Sequence, residues 1–329
     1  MQLGDRTNPY WRRLLERSEY NPVLRAEDWP YPVNSVFNAG AVRLKSGETL
    51  LLARAEDMRG LSHLCAARSG DGTTNWRVDP TPTLLPDPAG HPEETWGIED
   101  PRITFLPELG EYGVTFTAYS GLGPGVSLAL TKDFRSFRRL GLVLRPEDKD
   151  AALLPRRFGG RWAMIHRPVV WSHGSHIWLS FSPDLRHWGD ARPLLCARQG
   201  GWWDANRVGL CSPPIETRQG WLILYHGVKT TVAGALYRVG LALLDLEDPR
   251  RMLLRGDEWA FGPAEPYERT GDVPNVAFPC GSTLSDDGDT LRLYYGAADT
   301  SICLATASLQ ELLAWLKDHG RPEPAAPSG

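Results

Sequence analysis

Cysteine is sparse and unpaired. The five cysteines among 329 residues, Cys65, Cys196, Cys211, Cys280 and Cys303, show no Cys-x-x-Cys spacing. That excludes a disulfide scaffold and a zinc ribbon, and reduced thiols in a cytoplasm are expected. Excess charge of one sign is also missing. A net charge of −4 gives no bulk attraction to nucleic acid or to an anionic membrane surface. No apolar run reaches transmembrane length, and Met1 to Tyr20 is polar and charged without a signal-peptide apolar region. There is no Gly-x-x-x-x-Gly-Lys-Ser/Thr loop, no Gly-x-Gly-x-x-Gly after a strand and no His-Glu-x-x-His. His173 and His176 lie close together, but in a hairpin (Ser172 to Ser175) without a third ligand, and read as surface residues. No metal and no organic cofactor is expected.

What the chain does have is turn formers and aromatic rings: 33 Gly, 27 Pro, 13 Trp and 10 Tyr. With 42% hydrophobic residues there is enough for a large core, read here as a single domain over 1–329. Helical spacing of apolar residues appears only at the ends. Residues 8–20 read as a short N-terminal helix with Asn8 as cap and Pro9 as its first residue. A second amphipathic helix is expected over about 308–318, followed by a frayed Pro/Ala tail at 321–329.

Between the ends a three-strand unit recurs. Its anchor points, Gly40, Pro101, Pro155, Pro213 and Pro279, lie roughly 55–65 residues apart. Ser46-Gly47, Gly159-Gly160, Gln219-Gly220 and Asp287-Gly288 punctuate the apolar runs as hairpin turns. Five copies of an antiparallel unit predict an all-β protein, a five-bladed β-propeller with short terminal helices. In that architecture the polar residues opening the innermost strands converge on a central mouth.

Those openings carry the chemistry. The central motif is Trp96-Gly97-Ile98-Glu99-Asp100-Pro101-Arg102-Ile103, two adjacent carboxyls at the start of an apolar strand. Pro101 keeps Asp100 out of the helical region. Charged groups at the head of a buried strand are costly unless paired or in use. An Asp–Arg ion pair in a turn is the plain structural alternative. Lys149, Arg157, Arg167, Arg207 and His226 fall in copies three and four, beside Asp100 of copy two. An inverting hydrolase needs a second carboxyl to activate water, whereas a phosphorylase needs only an acid and cations to hold phosphate. Cations beside one acid favour phosphorolysis, unless they are spent on Glu147, Asp150 and Asp204.

Several segments together resemble glycoside hydrolase family 130, the mannoside phosphorylases. They are Phe37-Asn38-Ala39-Gly40-Ala41, Gly97-Ile98-Glu99-Asp100-Pro101-Arg102-Ile103, Lys149-Asp150-Ala151-Ala152-Leu153-Leu154-Pro155, His166-Arg167-Pro168, Ser212-Pro213-Pro214-Ile215, Tyr225-His226-Gly227-Val228, Asn275 to Gly281 and Tyr294 to Thr300. The resemblance runs from about residue 34 to 305. It implies transfer of a β-linked mannosyl unit to phosphate with inversion, giving α-mannose 1-phosphate and a shortened acceptor. It implies Asp100 as proton donor, acting through the mannosyl 3-hydroxyl, and Arg167 and His226 at the phosphate. Asn38, Arg54 and Asp299 would hold the mannose, with Glu99 and Tyr119 as further sugar-binding candidates. Two departures bear on the reaction. Arg207 stands where the family carries lysine, and the third-blade phosphate cation is open among Lys149, Arg156 and Arg157. A β-1,2-mannosidase of the same fold and a non-catalytic sugar-binding propeller therefore stay as alternatives. Linkage, acceptor and oligomeric state stay open, with the terminal helices as the surfaces on which a second copy would dock.

Overall fold

The computed structural model describes residues 14–170, 174–232 and 234–322. The fold is nearly all β, with two short helices at Pro266–Arg269 and Leu309–His319. Sequence-adjacent antiparallel strands form successive groups. The first runs Ser35–Arg43, Thr49–Glu56, Ser62–Ser69 and Arg77–Val78; the second Ile98–Leu106, Glu111–Ser120, Gly123–Thr131 and Arg138–Leu144. The last holds Ala277–Leu284, Thr290–Ala297 and Ser301–Ser308, joined by Glu16–Arg17 and Leu24–Arg25 from the start of the chain.

Strands here are apolar on both faces because each group is covered on both sides. Leu50 and Leu52 pack with Ile103, Val114 and Phe116 of the second group. Leu51 and Ala53, which point the other way, pack with Tyr294, Ile302 and Leu304 of the last. Equivalent cores join the second group to the third (Leu128 with Trp162 and Met164), the third to the fourth (Ile165 with Trp221 and Ile223), and the fourth to the last (Leu224 with Leu293). A fully buried Leu in such a layer contributes about 1.5–3 kcal/mol relative to exposure.

The sequence reading is corrected in several places. The proposed N-terminal helix lies outside the described residues up to residue 13; Leu14 and Leu15 are buried in a bend, and Glu16–Arg17 is strand. The third and fourth copies are not separate sheets. Gly174–Ser175 pairs with Val169 and Val170 on one side and with Arg207 on the other, fusing them into one eleven-stranded sheet. His173 lies outside the described residues, and His176 Nδ1 accepts the Ala197 N–H. Pro155 and Pro213 lie past the ends of strands Asp148–Leu153 and Arg207–Leu210, so they terminate those strands and do not open them. At the C-terminal helix Ser308 accepts the Glu311 N–H, and Leu309, Leu312, Leu313 and Leu316 enter the chain's own core. That apolar face is used internally and is not left for a second copy. Of the supposed tail, Gly320–Arg321 is strand, paired with Arg255 and Gly256, and 323–329 lie outside the described residues.

One local device recurs in the innermost strands. Register slips between Phe37 and Gly40, between Glu99 and Arg102, and between Lys149 and Ala152. Within those bulges Asn38, Asp100 and Asp150 take φ of 46°, 49° and 55°. Asn and Asp tolerate this left-handed region, and a bulge re-aims a side chain out of the strand alternation. Three polar side chains are thus redirected by one repeated irregularity. In the fourth strand the facing position is Gly209, where a Cβ would lie 2.4 Å from Asp150 Oδ2.

The start of the chain is also tied to the last group by charge. Arg17 Nε and Nη2 donate to the two Glu268 oxygens at 2.7 and 2.8 Å, and the guanidinium lies 4.4 Å from the Phe261 ring centre. Tyr295 Oη donates to the same carboxylate at 2.7 Å. Arg17→Ala leaves that buried carboxylate without its counter-charge. The expected cost is about 3–5 kcal/mol, read as a lowered thermal melting temperature; an unchanged melting temperature contradicts this role.

Candidate active site

Asp100 is buried, and only one of its oxygens is occupied. Oδ1 accepts from Asn38 Nδ2 at 2.9 Å and from Arg54 Nη1 at 3.3 Å. Oδ2 takes no hydrogen bond among the described residues. Arg54 is fixed from several sides: it reaches Glu99 Oε1 at 3.1 Å, Ser62 Oγ at 2.8 Å, and the Phe37 ring at 4.5 Å from its centre. Burial alone would raise the Asp100 pKa, but Arg54, Lys149, Arg102 and the Asn38 hydrogen bond outweigh it and lower it. The neighbouring carboxyls move the other way. Burial raises Glu99 against the pull of Arg54. Burial, with the Asp100 charge next, pushes Asp299 up to about 7. Asp100 is thus favoured as the carboxylate, while Asp299 holds its proton through weakly acidic pH and gives it up near pH 7.

A second cluster is built round Asp150, whose side chain is fully buried. Its Oδ2 accepts from Arg167 Nε at 2.7 Å and lies 3.6 Å from His226 Nε2; Oδ1 faces Arg102 Nη2 at 3.4 Å. Burial opposes ionisation, yet Arg167, His226, Arg102 and Lys149 hold this carboxyl well below the usual carboxylate range. Arg167 spends only Nε on it; its terminal nitrogens make no hydrogen bond among the described residues. His226 packs 4.7 Å from the Phe278 ring centre and keeps a buried Nδ1 without a partner among the described residues. Burial, reinforced by Arg167, Arg102 and Lys149 against Asp150, lowers its pKa to about 3. It is therefore a neutral donor near pH 7, which corrects its reading as a cation.

Arg102 links the two clusters. Its Nη1 donates to the Asp100 carbonyl at 3.1 Å, Nε to Cys211 O at 2.7 Å, and Nη2 to Leu210 O at 2.9 Å. It does not pair with the Asp100 carboxylate, so the simple ion-pair reading of that motif fails. Lys149 acts electrostatically on both clusters, on Glu99, Asp100 and Asp299 and on Asp150 and His226. Arg207 opens its strand with its guanidinium 5.8 Å from the centre of the Tyr237 ring, whose centre lies 6.0 Å from that of His226 at a tilt of 34°. Among the described residues neither Lys149 nor Arg207 forms an ion pair.

Arg157 is not brought to the site. It binds Glu108 at 2.9 Å and the carbonyls of Gly160 and Pro183, with its guanidinium over Trp162. Arg156 binds Leu246 O and Glu247. Both follow Pro155, beyond the far end of the strand that Asp148 opens, so the turn carries them away from the mouth. That leaves Lys149 as the third-group cation near Asp100. Asp204 is engaged by Arg255 and Tyr225, not by the site cations. Sequence reasoning missed Asp150 as an organiser and Arg102 as a link. The parallel between Asn38-Ala39-Gly40, Asp100-Pro101-Arg102 and Asp150-Ala151-Ala152 was the available signal. Among the described residues one set of metal-type ligands converges, His91 with Glu93 and Glu94. Its oxygens are already used, Glu94 by Arg139 and the Asp87 N–H, and Glu93 by the Leu142 N–H.

The Asp299 shift has a testable sign. Its folded pKa of about 7 exceeds the ordinary 3.8. The folded state therefore binds the proton more tightly, and this acid costs stability progressively as pH rises from about 4 to about 7. Asp299→Asn is expected to raise the melting temperature at pH 8, with the advantage fading toward pH 4. No gain at pH 8 contradicts the assignment.

A family profile described as beta-1,4-mannooligosaccharide phosphorylase matches residues 5–318. A beta-1,2-mannobiose phosphorylase of Listeria innocua is 40% identical over 258 residues, 78% of this chain and 69% of that one. A beta-1,4-mannooligosaccharide phosphorylase of Ruminococcus albus is 30% identical over 313 residues, 93% of this chain and 92% of its own. The solved beta-1,2-mannobiose phosphorylase from Listeria innocua, in complex with beta-1,2-mannobiose, superposes with a TM-score of 0.83 at 33% identity, covering 92% of this chain and 99% of that one. The resemblance carried by the strand openings thus extends through sequence and fold alike, and the chain belongs to glycoside hydrolase family 130.

Proposed function

We propose that this chain is an inverting β-mannoside phosphorylase built as a five-bladed β-propeller. The architecture is supported by the five interlayer cores, the last of which joins the final group back to the first. The observation that carries the activity is one buried network in which the backbone of Asp100, an acid with one oxygen unbonded among the described residues, is linked through Arg102 and Asp150 to Arg167, a guanidinium whose terminal nitrogens make no hydrogen bond among them.

In this reading Asn38, Arg54, Glu99 and Asp299 bind the mannosyl unit against Asp100. Phosphate lies at Arg167, Lys149 and Arg207, with neutral His226 donating a hydrogen bond. A phosphate oxygen attacks the anomeric carbon, the glycosidic C–O bond breaks, and the leaving oxygen takes a proton originating at Asp100 and relayed by the mannosyl 3-hydroxyl. Asp100, ionised before phosphate binds, takes up that proton from solvent as phosphate arrives, because phosphate charge offsets Lys149, one of the groups lowering the Asp100 pKa. The step uses phosphate as co-substrate and calls on no metal or organic cofactor. A cytoplasmic setting agrees with five free thiols.

The test is whether sugar release from a β-mannoside depends on phosphate. Phosphate-dependent release is expected; equal release without phosphate favours the hydrolase and overturns the reading. Asp100→Asn should lower turnover ~10²–10⁴-fold in both directions, the usual worth of general acid catalysis. Arg167→Ala should raise the phosphate KM by about tenfold or more, as loss of a charge-assisted hydrogen bond predicts.

A further inference from the structure

Two large aromatic rings stay exposed a short step outward from Asp100. Trp96 is 47% exposed and Tyr119 38%. Their position follows from strand register. Glu99 lies opposite Thr117, and opposed residues of an antiparallel pair point to the same face. Tyr119, two residues beyond Thr117, shares that face. At the next step the Tyr119 N–H donates to Gly97 O at 3.1 Å and the Trp96 N–H to Tyr119 O at 2.8 Å, so Trp96 and Gly97 together oppose Tyr119. The rings meet edge to face, with centres 5.4 Å apart at 76°. On one face, therefore, the order outward is Glu99, held by the Arg54 that also holds Asp100, and then the Trp96–Tyr119 pair.

The pair is anchored. Gly97 carries φ of 109°, and a Cβ there would lie 2.8 Å from Ser62 N, so the backbone before Asp100 is pressed onto the first group. The turn Pro92–Glu94 just upstream is fixed by the buried Glu94–Arg139 ion pair. Rings that are pinned in place yet half open to water offer a flat apolar surface next to carboxyl and guanidinium groups. That combination matches a pyranose, which has an apolar face of C–H bonds and a polar rim of hydroxyls.

We infer that Trp96, braced by Tyr119, is the wall of the acceptor subsite: it stacks on the sugar that leaves, while Asn38, Arg54 and Asp299 hold the sugar that is transferred. This assignment rests on the phosphorylase reading. It makes Trp96 a determinant of acceptor affinity and not of phosphate or donor affinity.

The experiment runs the reaction backwards, with α-mannose 1-phosphate as donor and mannose or β-mannobiose as acceptor, reading phosphate release. Trp96→Ala is expected to raise the acceptor KM about tenfold, the scale of one lost aromatic stacking contact. The donor KM should stay within about twofold, and Trp96→Phe should recover most of the loss. An unchanged acceptor KM overturns the inference, as does a parallel rise in both KM values. If wild-type protein releases no phosphate with these acceptors or with glucose, N-acetylglucosamine or longer mannooligosaccharides, the phosphorylase reading fails instead. Calorimetric titration of β-mannobiose then judges the wall alone: weaker binding to Trp96→Ala upholds it, and equal binding removes it. A change in sedimentation from oligomer to monomer in Trp96→Ala, with sugar affinity intact, would identify the rings as an interface between copies and refute the subsite.

Discussion

A guanidinium with 1% side-chain exposure governs the geometry of this pocket. Arg102 is sealed among strands of three groups, where an unpaired charge would cost several kcal/mol. Its donors are met by three carbonyls and by Asp150. Each partner is thereby held in place. The Asp100 backbone cannot shift relative to Leu210 and Cys211, and Asp150 is fixed to receive Arg167. The separation between the Asp100 backbone and the Arg167 guanidinium is thus set by a buried network, not by flexible surface side chains. Repeated bulges deliver Asn38, Asp100 and Asp150 to it, and Gly209 leaves the space that Asp150 fills.

The same burial divides labour among chemically identical groups. Asp100 and Asp299 are both aspartates at strand ends, yet one is lowered and the other raised to about 7. The difference is the guanidinium and ammonium charge near Asp100, which reaches Asp299 less strongly than Asp100's own negative charge does. Around Asp150 the logic is reversed. Its negative charge cancels part of the positive field of Arg167, Arg102 and Lys149. Burial, helped by those cations and opposed by Asp150, keeps His226 neutral near pH 7, and as imidazole it presents one N–H donor without adding charge.

Much of this was legible from residue order alone. Alternating and continuous apolar runs with Gly-centred hairpins identified an all-β chain, because strands covered on both faces need apolar residues at nearly every position, as in Leu50 to Ala53. Asn38 and Asp100 drew attention because costly polar groups stood at strand openings, whereas Arg54, Arg167 and Asp299 were read at the ends of second strands and given roles by the family resemblance. Arg157 misled, because Pro155 was read as opening the third strand when it ends that strand, which moved the mouth by about one strand length. Asp150 was read as a mere neutraliser, since sequence spacing cannot show that a bulge turns it inward. The N-terminal segment was read by cap chemistry as helix. Where it is described, pairing of Glu16 and Arg17 with Thr306 and Ala305 overrides that local preference.

The central claim is that phosphate, seated beside Asp150's guanidinium partner, attacks the sugar from the face opposite the bond that breaks. Proton NMR of the first product formed from a β-mannoside in phosphate buffer tests it most directly. The account predicts mannose 1-phosphate appearing initially as the α anomer. Formation of the β anomer, or of free mannose in its place, would contradict it.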